Sequence, residues 1–103
     1  MNLRFTPGAE SQFLAALAFI HADTPRAAKA FRARAESVLS RLAAHPASGR
    51  MIPEFPGLPY RELIVAPYRF FCRTEGKTVW VVAVWHGKQQ VREPATTARA
   101  DLR

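Results

Sequence analysis

Four residues of this chain have types suited to phosphoryl chemistry: Glu54, Arg61, Arg69 and His86. Cleavage of RNA through a 2′-hydroxyl needs a base for the 2′-proton, an acid for the 5′-leaving oxygen, and fixed positive charge at the phosphorane-like transition state. His86 and Glu54 have the chemistry for proton transfer. Arg61 and Arg69 supply delocalised charge and bidentate phosphate contacts. Phe71 and Trp80 offer ring faces for unpaired bases. Arg73 and Lys88 complete the expected substrate-binding set. No metal or other cofactor is expected: three scattered histidines, one cysteine and no carboxylate cluster give no ligand spacing. The chain has no phosphate loop and no dinucleotide fingerprint.

Most of these residues fall in the stretch Pro59 to His86, three apolar, β-branched or aromatic runs broken at Ala66-Pro67 and Glu75-Gly76. That pattern predicts a three-stranded antiparallel meander. A tight turn at Glu75-Gly76 would pair Arg69 with Val82, Phe71 with Trp80 and Phe70 with Val81. One face would then carry Phe70, Cys72, Val79, Val81, Ala83 and Trp85. The other would carry Arg69, Phe71, Arg73, Trp80, Val82, Val84 and His86. The Ala66-Pro67 connection sets the first strand. A two-residue loop turns Arg61 onto the apolar face, and a three-residue loop (Ala66 to Tyr68) turns it towards Arg69. Since an unpaired arginine in a core costs several kcal/mol, the longer loop is expected.

Upstream lie the elements that must carry this sheet. Asn2 to Phe5 reads as a short strand. Thr6, Pro7 and Glu10 mark a helix start, and Phe13, Leu17 and Ile20 give its apolar stripe, widened by Leu14 and Ala18, up to about Ala22. Asp23-Thr24-Pro25 repeats the start signal. The second helix shows Ala28, Phe31, Ala35, Val38 and Leu42, with Leu39 beside them, and ends by His45 ahead of Pro46. The short connection makes an antiparallel helix hairpin. Residues 46–59 read as a proline-stiffened loop holding Arg50 and Glu54. The fold class is therefore α+β, in the order βααβββ. Residues 1–90 are expected to form the domain, and residues 91–103 a flexible or partner-docked tail.

Bulk properties narrow the function classes. At 103 residues and 49% apolar content the chain suits one globular domain. Fifteen Lys and Arg against eight Asp and Glu give a net charge of +7, which suits a polyanionic partner, nucleic acid or acidic protein. A single cysteine excludes an internal disulfide. There is no run of about 18 apolar residues and no signal-peptide pattern, so a cytoplasmic protein without a membrane partner is expected.

The strings FTPGAESQF, HPASGRMIPE, YRELIV, PYRFF and VWVVAVWHGKQ, in this order over about residues 3–90, resemble the RelE/ParE superfamily of type II toxin–antitoxin toxins. The resemblance implies a small basic toxin neutralised by a cognate antitoxin. In the RelE-like branch it implies metal-independent cleavage of mRNA on the ribosome. Arg69 would then stabilise the phosphate, Arg61 line the cleft, and Glu54 and His86 assist. That branch often carries a Tyr or a dense basic set near the C-terminus, where this chain has only Lys88 and Arg92. In the ParE-like branch the same scaffold inhibits DNA gyrase without nuclease residues. Ribosome-dependent mRNA cleavage is the primary expectation, with gyrase inhibition as its alternative.

Overall fold

Thr6 joins the first strand to the first helix and shows how the two layers are tied. Its backbone is extended, with φ −66° and ψ 156°, and its hydroxyl accepts the Ala9 N–H at 3.2 Å, capping the helix. The same hydroxyl donates to the Val81 carbonyl at 3.3 Å, fixing the helix start to the sheet. Pro7 occupies the first turn, where its missing N–H costs nothing. Pro25 does the same for the second helix. There the Thr24 hydroxyl donates to the Asp23 carboxylate at 3.4 Å instead of capping.

The computed structural model describes residues 2–54 and 57–87. The elements are β1 (Asn2–Phe5), α1 (Pro7–Asp23), α2 (Pro25–Ala44), β2 (Arg50–Met51), β3 (Tyr60–Val65), β4 (Tyr68–Glu75) and β5 (Thr78–His86), with a single 3₁₀ turn at Pro46–Ser48. They form a mixed five-stranded sheet in the order β1-β5-β4-β3-β2. β1 runs parallel to β5, the helix hairpin carries the chain from β1 across to β2 at the opposite edge, and the remaining pairs are antiparallel. The α+β order read from the sequence is the order found, and β2 adds a two-residue edge strand within what reads as loop. Among the described residues no helix is long and apolar enough to cross a membrane. The expected tail, residues 91–103, and Lys88 lie outside the described residues.

One sheet face packs on the helices. α2 buries Ala28, Phe31, Ala35, Leu39 and Leu42, with Leu39 in place of Val38 at the centre of its stripe. α1 buries only Ala9 and Ala16. Its Phe13, Leu17 and Ile20 are half-covered against the core. Leu14 and Ala18, expected to widen that stripe, are exposed, as is Phe19. Rings link the layers. Phe13 lies 5.4 Å from Phe5 and 5.8 Å from Phe70, and Phe31 lies 5.4 Å from Tyr68. Cys72 sits in this core, and burial pushes its thiol up to about 12.

Three details of register depart from expectation. First, Glu75 pairs with Thr78, so the β4–β5 loop is Gly76-Lys77, not Glu75-Gly76. Gly76 has φ +59°, left-handed backbone that favours glycine as the first loop residue. Second, Phe71 pairs with Ala83 and Cys72 with Val81, leaving Val82 as the extra residue of a β-bulge. Arg69 therefore faces Trp85, Phe70 faces Val84, and Arg73 faces Trp80. Third, Val65 pairs with Tyr68, so the Ala66-Pro67 loop has two residues.

The loop and the bulge each change the faces. The short loop puts Arg61 opposite Cys72 on the helix side, and puts Glu62 opposite Phe71 on the open side. The bulge turns Val84 to the helix-side core and leaves Ala83 and Trp85 with the open-side cluster of Ile52, Tyr60, Phe71 and Val82. His86, paired with Tyr68, follows Val84 to the helix side. The bulge has a partner of its own in Gln12, whose Oε1 accepts the Val84 N–H at 2.8 Å.

Candidate functional site

The open face of the sheet centres on Arg69, in the middle of the meander, with its side chain 13% exposed. Its Nε donates to Glu62 Oε1 at 2.7 Å. Its two terminal nitrogens donate to the two oxygens of Glu54 at 3.0 and 2.9 Å, a bidentate fork. Its guanidinium carbon stands 5.1 Å from the centre of the Phe71 ring. Arg50, on β2, reaches the other side of Glu62 with longer contacts of 3.3 and 3.4 Å. The result is a chain of alternating charge, Arg50–Glu62–Arg69–Glu54, that sums to zero.

Each member is held by a different element. Glu62 is on β3 and fully enclosed, and Arg69 lies diagonally across the β3–β4 ladder. Glu54 arrives on the loop after β2, anchored by the fully buried Ile52 two residues before it. Glu54 is held below the usual carboxylate range, chiefly by its hydrogen bonds from Arg69. Burial pushes the Glu62 carboxyl upward, but the hydrogen bonds from Arg69 and Arg50 outweigh it and hold it below that range too. Arg69 is driven still further above its ordinary value by its bonds to Glu54 and then Glu62. These shifts hold Glu54, Glu62 and Arg69 in their charged forms near neutrality.

Of the four residues with phosphoryl chemistry, Arg69 and Glu54 meet, and they meet each other. Arg61 is on the opposite side. Its position is tolerated because helix-side cover there is not the α2 core but the Pro46–Gly49 segment. Arg61 is half-exposed in a cleft lined by Pro46, Ala47, Met51 and Leu58, and its guanidinium donates to the Gly49 carbonyl at 3.3 Å. No unpaired buried charge arises, so the cost that favoured the longer loop does not apply. A Cβ on buried Gly49 would stand 2.9 Å from the Arg61 Cβ, which is why the chain passes here on glycine. His86 also lies on the helix side, its ring 5.3 Å from Tyr68 in an edge-on contact, beside Gln12 and Phe19 of α1.

Of the expected binding residues, Phe71 is fully buried between Arg69 and Trp85 and shows no ring face to solvent. Trp80 is half-buried between Arg4 on β1 and Arg73 on β4. Arg73 contacts Glu75 at 3.2 Å and lies 5.9 Å over the Tyr60 ring. The residue missed from the sequence is Glu62. Its signal was a carboxylate inside an otherwise apolar strand, a position that demands a partner. Among the described residues no group of His, Cys, Asp and Glu could hold a metal ion.

A structure of the chromosomal ParDE toxin–antitoxin system of P. aeruginosa contains a chain with the same architecture, at TM-score 0.66 and 23% identity, over 84% of this chain and 95% of that one. At that identity the likeness is one of fold. No curated protein matches by sequence. The family model described as ParE toxin of the type II toxin–antitoxin system, parDE, matches residues 3–91, nearly the whole described sheet and helix hairpin, and the chain belongs to the ParE toxin family.

Proposed function

We propose that this ParE-type toxin arrests growth by binding DNA gyrase as a non-catalytic inhibitor. The observation that carries this reading is the closed Arg69 fork. A nuclease of the kind expected from Glu54, Arg61, Arg69 and His86 needs the arginine open to phosphate. It also needs its proton-transfer groups within hydrogen-bond reach of the same substrate. Here Glu54 occupies the terminal nitrogens of Arg69, and His86 and Arg61 lie behind the sheet. The test runs the purified toxin in two assays side by side. Inhibited supercoiling, with translation proceeding and mRNA intact in a cell-free system, is the expected result. Cleaved mRNA with supercoiling untouched would overturn the proposal in favour of the ribosome-dependent nuclease.

A toxin of a type II toxin–antitoxin system has a cognate antitoxin as its partner. For its seat we propose the outer side of the helix hairpin. Leu14 is 56% exposed there. Between the helices runs a cleft of about 640 Å³ lined by Leu17, Ala18, Ala22 and Ala28 and rimmed by Lys29 and Arg32. An apolar patch with a basic rim suits an amphipathic acidic segment. Ala18→Asp, at an exposed position lining that cleft, is expected to weaken antitoxin capture in a pull-down while leaving supercoiling inhibition in place. Undiminished capture would exclude this seat.

A further inference from the structure

The arginines of β2 and β4 each have a carboxylate partner: Arg50 has Glu62, Arg69 has Glu62 and Glu54, and Arg73 has Glu75. Arg61, on β3, has none among the described residues. Its Nη1 donates to the neutral Gly49 carbonyl at 3.3 Å, and its Nε and Nη2 have no partner among those residues. Strand pairing turns Arg61 to the helix side, and Gly49 passes so close that a Cβ there would stand 2.9 Å from the Arg61 Cβ. The stem of Arg61 is thus pinned under the chain, while the side chain borders a cleft of about 500 Å³. Sites that take small molecules span roughly 300–1,000 Å³. The walls of this one are apolar: Pro46 and Ala47 of the 3₁₀ turn, exposed Met51 of β2, and Leu58 and Pro59 ahead of β3. Thr74 adds a hydroxyl. Two of the walls are prolines, which have no backbone N–H to offer. A phosphate group, with all its charged oxygens, would find too few donors here. A carboxylate needs no more than the two parallel N–H groups along one guanidinium edge, and an apolar group attached to it would cover the walls.

We propose that this cleft is a binding site for an apolar carboxylic acid, with Arg61 taking the carboxylate and Pro46, Met51 and Leu58 taking the apolar part. A half-buried guanidinium whose partner is a carbonyl gains most from an anion that sheds its water easily, and an apolar acid is such an anion. A free small acid offers this chemistry, and so does the C-terminus of a peptide that ends on an apolar residue. The site lies on the other side of the sheet from Arg69 and Glu54 and is independent of which cellular target the toxin has.

The experiment follows the Arg61 Nε–H and the Gly49 and Thr74 amide signals by NMR on the full chain. Hexanoate, and separately the tripeptide N-acetyl-Ala-Val-Leu, is titrated at constant ionic strength. Hexanamide and the C-terminally amidated tripeptide are the neutral controls, and inorganic phosphate is the strongly hydrated anion. The better of the two acids is expected to bind roughly tenfold or more tightly than its own amide, as a charge-assisted fork implies, and more tightly than phosphate. Tighter binding of the tripeptide than of hexanoate assigns the site to a chain end; otherwise it belongs to a free acid. Either supports the site. Acid and amide binding alike, phosphate matching the better acid, or no response to either acid overturns it. Arg61→Gln is expected to abolish the preference for acid over amide, and a preference retained in that variant overturns the proposal. Should Arg61→Gln fail to fold, Met51→Glu decides. Met51 is the cross-strand partner of Arg61 and is 48% exposed, so the substitution sets a carboxylate beside the guanidinium without burying it. The affinity for the better acid is then expected to fall by roughly tenfold or more, because the fork is already occupied, and an unchanged affinity overturns the proposal. Supercoiling and translation have no part in this readout, so its failure leaves the reading of the target untouched.

Discussion

Glu62→Gln tests whether the enclosed carboxylate holds the open face together. The side chain keeps its volume, so packing is conserved and only charge and hydrogen bonding change. The 2.7 Å bond from Arg69 Nε becomes a charge-to-neutral bond, a loss of about 1 kcal/mol. The new amide NH₂ faces the Arg50 guanidinium, which itself only donates. Arg50 can turn to water, but the enclosed amide cannot, and stranding that donor costs about 1.5 kcal/mol. Together these give about 2.5 kcal/mol at pH 7. For 103 residues the unfolding entropy is about 0.2 kcal/mol/K, so Tm falls by about 12 °C. The pH dependence adds a second check. Because the folded Glu62 carboxyl lies below its ordinary value, its contribution is present above the unfolded carboxylate range near 4.3 and is lost as pH falls through the folded value. The gap in Tm between wild type and variant should therefore narrow in acid. Differential scanning calorimetry from pH 7 to pH 3 measures both. A gap under about 3 °C at pH 7 would mean that desolvation of Glu62 cancels its pairing, as buried ion pairs sometimes do, and a gap equal at both ends would refute the charge argument.

Gly49→Ala is expected to cost about 1–3 kcal/mol in chemical denaturation, because its Cβ meets the Arg61 Cβ, an atom fixed to the strand, at 2.9 Å. An unchanged midpoint would mean that the 3₁₀ turn yields freely. Gln12→Ala strands the N–H of the buried Val84 at the β-bulge. About 1–3 kcal/mol should be lost, with hydrogen-exchange protection falling first at Val84. Cys72, buried in the helix-side core with its thiol pushed up to about 12, should resist Ellman's reagent at pH 8 until the chain unfolds. Rapid labelling of the folded protein would show that core to open locally.

The element order was legible because its signals are local. Thr6-Pro7 and Thr24-Pro25 start helices wherever they stand, and apolar periodicity survives any change of neighbour. The face of each strand was not legible, because face depends on parity and parity on single residues far from the side chains it governs. A two-residue loop at Ala66-Pro67 exchanged Arg61 for Glu62, and an extra residue at Val82 exchanged His86 for Trp85. The burial of Arg61 has a mirror term in the burial of its neighbour Glu62. The longer loop would have turned Glu62 towards the helices, so either register buries one charge of the Arg61-Glu62 pair. The register adopted encloses the carboxylate, where Arg69 and Arg50 can reach it, and leaves the arginine at a half-open cleft with a carbonyl for a partner.

That exchange also moves the electrostatic footprint of the molecule. Arginines in the centre of a sheet suggest a basic binding face, yet Arg50 and Arg69 are matched one for one by Glu54 and Glu62, and Arg73 stands against Glu75. The net charge of +7 must therefore arise elsewhere. Much of it lies on α2, where Arg26, Lys29, Arg32, Arg34 and Arg41 are all exposed and only Glu36 opposes them. Unmatched charges on one helix act over about a Debye length, whereas a neutral cluster presents little field beyond its own contacts. An acidic partner is thus steered to the helix hairpin, where the apolar cleft lies, and the sheet face is left to contacts whose strength depends on fit. Raising the salt concentration should accordingly slow antitoxin association markedly, and the α2 variant Arg26→Gln/Lys29→Gln/Arg32→Gln should reproduce that slowing at low salt while Arg73→Gln does not. Equal effects from the two sets, measured by stopped-flow association, would show that charge is read on the sheet after all.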